Sequence, residues 1–430
     1  MTRAMCEDAD EQLWRTVRDT AESADRVTLM RAAGCLAVAL ADMAGSARDP
    51  IHHGTARVLA AAPGGCTVTG ADGGAHLTGA AAANAYLMHA RLTDDSFMVA
   101  AHPGLTVIPV ALAAAEHALL TGSGKVDGEH LLRAVVGGYE CACLLAELLL
   151  PEVSRRGWRV TAVIAPLAAA ATAALVLRLS EEVACSALGL ASAATGGPLG
   201  VVSTEGDGWR LQPALAVQAG VTAALASAAG LRAAADALSA EHGFYALFGG
   251  LLGAGERHRV QPPAVHRVTF KRYPVAMFGQ SIFDAIRRLP PISGIADRID
   301  VEVAPFAAQY GNQQSGSTTS IASVEGITLA AVQRFLPDLD VGSGTRRVPI
   351  RIIGNPVLPD LTARIQLTMA DGQQYSGAGD GDTSGWRIGD FTDHCRAVLG
   401  AEGTLLCDAA AALLEPTGID RLFELWRATR

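Results

Sequence analysis

Residues 160–177 read VTAVIAPLAAAATAALVL, eighteen positions without a charge, flanked by Arg159 and Arg178. A membrane span needs roughly 17–25 such residues, so the run is just long enough. Eight of its positions are Ala, which contributes little to membrane transfer, and Pro166 interrupts it. A helix buried on every side inside a large helical domain accounts better for this pattern, and no membrane partner is expected.

Similar texture extends over the first 264 residues. Ala/Leu/Val segments at Gln12–Asp42, Thr78–His89, Leu105–Leu120, Gly128–Leu150, Thr161–Leu179, Glu181–Ala194 and Pro213–Ala229 predict helices, separated by Gly/Ser/Asp clusters. Most are apolar over more than one face, as inner helices of a multilayer bundle are.

The pattern changes beyond Gly255. VHRVTFKRY (265–273) and RIDVEV (298–303) alternate with period two, and Val348–Ile353 and Thr362–Met369 read as strands. MADGQQY (369–375) carries a hairpin turn signal, while Gln280–Leu289 and Leu329–Phe335 read as helices. The expected fold class is α+β: an all-helical domain over 1–264, rejoined by a helical tail at 392–430, and a smaller α+β domain over 265–391.

The chain has 430 residues, half of them apolar and 18% charged, which excludes a disordered chain. A net charge of −9 argues against nucleic acid as a partner. The eight cysteines form no C-x-x-C pair, so buried free thiols are expected rather than a metal or iron–sulfur site. The first fifteen residues, MTRAMCEDADEQLWR, are mixed in charge and lack an apolar core, so a cytoplasmic location is expected. Lysine is rare, with Lys125 and Lys271 against 32 arginines.

Four polar blocks interrupt the apolar background. Thr93-Asp94-Asp95-Ser96 leads to His102-Pro103-Gly104, where Pro103 pushes His102 into an extended conformation just ahead of a helix. A helix N-terminus favours an anion and a neutral imidazole, so His102 could serve as a general base, or could simply cap the helix or bond Asp94 or Asp95. Arg159 precedes the Ala-rich helix, where a cation calls for an anionic partner or ligand. Trp209-Arg210-Leu211-Gln212 precedes Pro213, read as a first helical residue, and Arg210 could reach an anion. Lys271 and Tyr273 close the VHRVTFKRY segment. Glu116/His117 and Glu241/His242 read as structural pairs, and no metal site is expected.

In order and spacing, these blocks resemble the 2-methylcitrate dehydratase / cis-aconitate decarboxylase (MmgE/PrpD) family. The series runs from Asn84, His89, Asp94, Asp95 and His102-Pro103-Gly104 through Gly137-Gly138-Tyr139-Glu140, Arg156-Gly157-Trp158 and Ala187–Ala191. It continues through Gln212–Gly220 and Gly243-Phe244 to Phe270-Lys271-Arg272-Tyr273-Pro274. The resemblance implies a large helical domain plus an α+β lid, a homodimer, and metal-free, cofactor-free chemistry on a small carboxylate between the domains. It places His102 and Lys271 at catalytic positions, with Asp94, Asp95, Ser96, Arg159, Arg210, Trp209, Gln212 and Tyr273 around the substrate. Departures are concentrated there: Leu92 stands where Asp is usual, Arg159 where His is usual, and Trp209 where Lys is usual. Ser96 replaces Thr, Gln212 a common His, and Ala276 a His or Cys. The implied activity is therefore a dehydration or decarboxylation on a non-standard substrate, with isomerisation, or a binding role without catalysis, as the alternatives.

Overall fold

The computed structural model describes residues 9–202, 206–249, 261–310, 322–342 and 347–429; Cys6 lies outside them. The chain forms two compact units, Met1–Pro198 with Arg210–Val268 and Ser384–Arg430, and Leu199–Trp209 with Thr269–Thr383. The architecture is α+β and dominated by helices.

In the first unit, α1 (Ala9–Ser23) and α2 (Arg26–Ala47) replace the single helix predicted over Gln12–Asp42. Asp25 breaks it, its carboxylate accepting the Thr28 N–H as an N-cap. Then follow α3 (Pro50–Leu59), α4 (Leu77–Ala90), α5 (Pro103–Thr121), α6 (Gly128–Leu149), α7 (Glu152–Arg155), α8 (Val160–Val176) and α9 (Glu181–Ser192). After α10 (Gly208–Ala228) and the short α11 (Phe244–Phe248), the second unit intervenes. Between α3 and α4 the unit is not helical: β1 (Pro63–Gly64), β2 (Cys66–Thr67) and β3 (Gly74–Ala75) form a small antiparallel sheet. Two-residue strands in a Gly-rich stretch leave no period to read.

The Ala-rich α8 is buried along nearly its whole length and packs on α5, α6 and α9. Small side chains set these distances. A Cβ on Gly220 of α10 would collide with the Pro166 carbonyl of α8. By length and composition α2, α5 and α10 could each cross a membrane, and most of the apolar windows of α2 and α5 are buried in the protein. Pro213 lies inside α10, which begins at Gly208, so it is not the first helical residue. The seven described cysteines are free thiols.

The second unit contains α12 (Gly279–Arg287), β4 (Gly294–Val303), α13 (Pro305–Gln309), α14 (Val324–Phe335), β5 (Leu339–Asp340), β6 (Ile350–Gly354), β7 (Thr362–Met369) and β8 (Gln374–Asp380). Strand β4 is central, parallel to β5 and β6 and antiparallel to β7, which pairs with β8 through the expected hairpin. Helix α12 lies against β8 so closely that a Cβ on Gly379 would strike the Ser281 carbonyl. The strand predicted at 265–273 does not form. Residues 264–266 make a 3-10 turn, Thr269 makes an isolated bridge, and the Thr383 hydroxyl holds the Phe270 backbone. It accepts the Phe270 N–H at 2.6 Å and donates to the Phe270 carbonyl at 2.8 Å.

The tail returns to the first unit as α15 (Ile388–Leu399), α16 (Ala401–Ala411) and α17 (Gly418–Ala428), with α15 and α16 packed on α2. Gly220→Ala is expected to lower the unfolding free energy by about 1–3 kcal/mol, read as a lower urea midpoint at an unchanged slope.

Candidate functional site

The site in the first unit is built on the connection from α4 to α5, residues 91–102. This segment doubles back on itself: Phe97 and Ala101 exchange both backbone hydrogen bonds, at 2.8 and 3.0 Å. The tight reversal puts Met98 at φ 46° and Val99 at φ 69°, and Leu92 stands at φ 57°. Left-handed conformations are costly for such side chains, most of all for β-branched Val99.

Asp95 is buried. Its Oδ1 accepts the Gly104 N–H of α5 at 2.9 Å, and its Oδ2 accepts the Tyr139 hydroxyl of α6 at 2.7 Å. The anion expected at the start of α5 is thus the protein's own carboxylate. A Cβ at Gly104 would lie 2.6 Å from Asp95 Oδ1 and 2.7 Å from the Tyr139 oxygen, so glycine is required there. Burial, then the Asp95 charge, holds the Tyr139 pKa well above 10, and the phenol remains a donor.

Asp94, with no exposed surface, points one oxygen at two imidazoles. Its Oδ2 lies 3.0 Å from His89 Nδ1 and 3.1 Å from His102 Nδ1. The two rings are 4.8 Å apart, edge to face. His102 Nδ1 is also 3.0 Å from the Asp95 carbonyl and 3.4 Å from Ser96 Oγ. The carboxylate and the carbonyl can only accept, so they fix the proton on Nδ1 and the lone pair on Nε2.

Arg159, the N-cap residue of α8, is 1% exposed, and its Nη2 lies 2.8 Å from His89 Nε2. A guanidinium can only donate, so His89 accepts at Nε2 and carries its proton on Nδ1 toward Asp94. Burial lowers the His89 pKa from 6.5 to about 3; Asp94 opposes this, while His102 and Arg159 add to it. His89 is therefore the neutral link in a chain from Arg159 through Asp94 to His102.

Among the described residues, His89, Asp94 and His102 also form a group whose ligand-type atoms lie within 4.8 Å of one another. Arg159 argues against a metal there. His89 could offer Nδ1 to a metal while accepting from Arg159 at Nε2 only as an imidazolate, beside a fixed positive charge.

Asp94, Asp95, Ser96, His102 and Arg159 therefore come together. Arg210 donates from Nε to the Ala90 carbonyl at 2.8 Å, closing the C-terminus of α4. Gln212 Nε2 donates to the Pro198 carbonyl at 3.2 Å and steadies the turn whose Gly197 carbonyl accepts the Arg159 N–H. Trp209, Lys271 and Tyr273 belong to the second unit and are buried. The Tyr273 ring packs 4.8 Å from that of Phe283, and its backbone N–H is held by Gln280. His89 and Tyr139 appear in the sequence only as parts of the family pattern. Their roles depend on partners 70 and 44 residues away, which spacing does not reveal.

A histidine whose Nδ1 faces a carboxylate and a carbonyl, joined through His89 and Asp94 to a buried guanidinium, is suited to moving a proton next to an anion. The chain belongs to the MmgE/PrpD family, since the model of the MmgE/PrpD N-terminal domain matches residues 11–252, more than half of it. This family has enzymatic members, dehydratases acting on carboxylic acids among them. No curated protein matches the chain.

Because His89 titrates near 3 when folded and near 6.5 when unfolded, the unfolded chain binds its proton more readily. Its contribution to stability is complete above about pH 6.5 and is lost as pH falls toward 3. In His89→Asn the urea midpoint should therefore fall less steeply between about pH 6 and about pH 4 than in the parent protein.

Proposed function

We propose that the protein is a metal-free lyase acting next to a carboxylate, with His102 as the base. The observation that carries this is the pair of acceptors on His102 Nδ1, the Asp94 carboxylate and the Asp95 carbonyl, which leave Nε2 basic. In a dehydration, His102 Nε2 takes the proton from the carbon beside the carboxylate. The C–O bond then breaks, and the departing hydroxide is protonated to water. In a decarboxylation the C–C bond breaks with loss of CO2, and the carbanion takes a proton from an acid, the role proposed below for Lys271. Arg159 supplies a fixed charge for the substrate carboxylate, and its planar fork suits two-point binding. Lys271 is proposed as the acid on the family resemblance alone. With Leu92 and Arg159 in place of family acid/base groups, the substrate is a non-standard carboxylic acid, as in specialised metabolism.

The same loss of acid groups favours a second reading. An isomerase removes and returns a proton at carbon and needs no leaving-group acid, so His102 with its Asp94 orienter would suffice.

The test is mass-spectrometric turnover of 2-methylcitrate, citrate, cis-aconitate and several alkyl-substituted hydroxy acids, in ordinary water for mass loss and in heavy water for deuterium uptake. A loss of 18 or 44 mass units is expected, falling by about 10²–10⁴ in His102→Ala and also in Lys271→Ala. Deuterium uptake without mass loss would establish the isomerase instead. With neither across the panel, the lyase reading is abandoned in favour of a binding role.

A further inference from the structure

Asp42 of α2 has no exposed surface, although nothing in its apolar helix calls for a charge. Two donors converge on its Oδ1: the Thr93 hydroxyl at 2.8 Å and His394 Nε2 of α15 at 3.2 Å. Its Oδ2 is buried without a hydrogen-bond partner. A carboxylate half satisfied in the interior is costly, and an apolar residue would fill the space at less cost. What the carboxylate does hold is Thr93, the residue before Asp94 and directly after Leu92, where the backbone turns left-handed at φ 57°. The hydrogen bond thus anchors the strained segment one residue before the carboxylate that orients both imidazoles. The His394 ring lies 5.7 Å from that of Trp386, which precedes α15.

We propose that His394 is a positioning residue: acting through Asp42 and Thr93, it sets the Asp94 carboxylate against His102 Nδ1 and so keeps the lone pair on Nε2. The inference rests on the reading of His102 as the base. It concerns the tautomer, however, which can be measured without any substrate.

The experiment is ¹⁵N NMR of the full chain labelled in its histidine rings, with His102 assigned by the signals lost in His102→Gln. The parent protein should show one protonated and one unprotonated ring nitrogen for His102. In His394→Ala these signals should move toward a common averaged value. In His394→Gln, whose amide can donate to Asp42 in place of Nε2, they should return to the parent positions. Thr93→Val removes the other donor at nearly constant volume and should reproduce the averaging, whereas Thr93→Ser, which keeps the hydroxyl, should not. This second pair carries the test if the alanine variant does not fold. His102 signals unchanged in His394→Ala or in Thr93→Val would overturn the proposal, as would equal disturbance in the alanine and glutamine variants. A parent protein with the intact tautomer but no turnover would count against the lyase reading and leave this one standing.

Discussion

The first unit's candidate site depends on the buried carboxylate of Asp95. One of its oxygens is held by the first available N–H of α5 and the other by the hydroxyl of α6. This closes a triangle between the α4–α5 connection and two core helices. Because Pro103 has no N–H to offer, Gly104 supplies the donor, and the Asp95 oxygen fills the space a Cβ would need. With that corner fixed, His102 is placed at the helix start and Asp94 is turned inward toward the two imidazoles.

The chain from Arg159 through His89 and Asp94 to His102 joins stability to chemistry. Each link has a defined donor and acceptor, because a guanidinium cannot accept and a carboxylate cannot donate. His89 gives the chain its direction, since its burial as a neutral ring fixes which nitrogen faces which neighbour. For His102, the bland expectation of a histidine bonded to Asp94 or Asp95 and the sharper one of a base are not alternatives. The bonds at Nδ1 turn Nε2 away from Asp94 and the Asp95 carbonyl, as the proposed base requires.

Much of the fold was legible because burial imposes a period. The apolar segments gave α4, α5, α6, α8 and α9 nearly to their ends; alternation gave the second part of β4, the segments of β6 and β7 read as strands, and Asp-Gly marked the turn of the β7–β8 hairpin. The errors occurred where one side chain overrides the pattern. Asp25 splits the segment predicted as one helix by capping α2, and Thr383 holds the Phe270 backbone where a longer strand was expected. At the site, the polar block Asp94–His102 and the placement of Arg159 before α8 could be read locally. That Arg210 closes α4 could not, nor that Asp42 and His394, 352 residues apart, meet behind Thr93, because such contacts belong to the packing of distant helices.

The scarcity of lysine has a practical consequence. Lys125 lies exposed in the loop before α6, whereas Lys271 has no exposed surface. An acylating reagent applied to the folded protein therefore meets one accessible ε-amine, in the loop before α6. Lys125 is thus a lysine handle for attachment to a surface or a fluorophore, and a second modified lysine would report that Lys271 had become exposed.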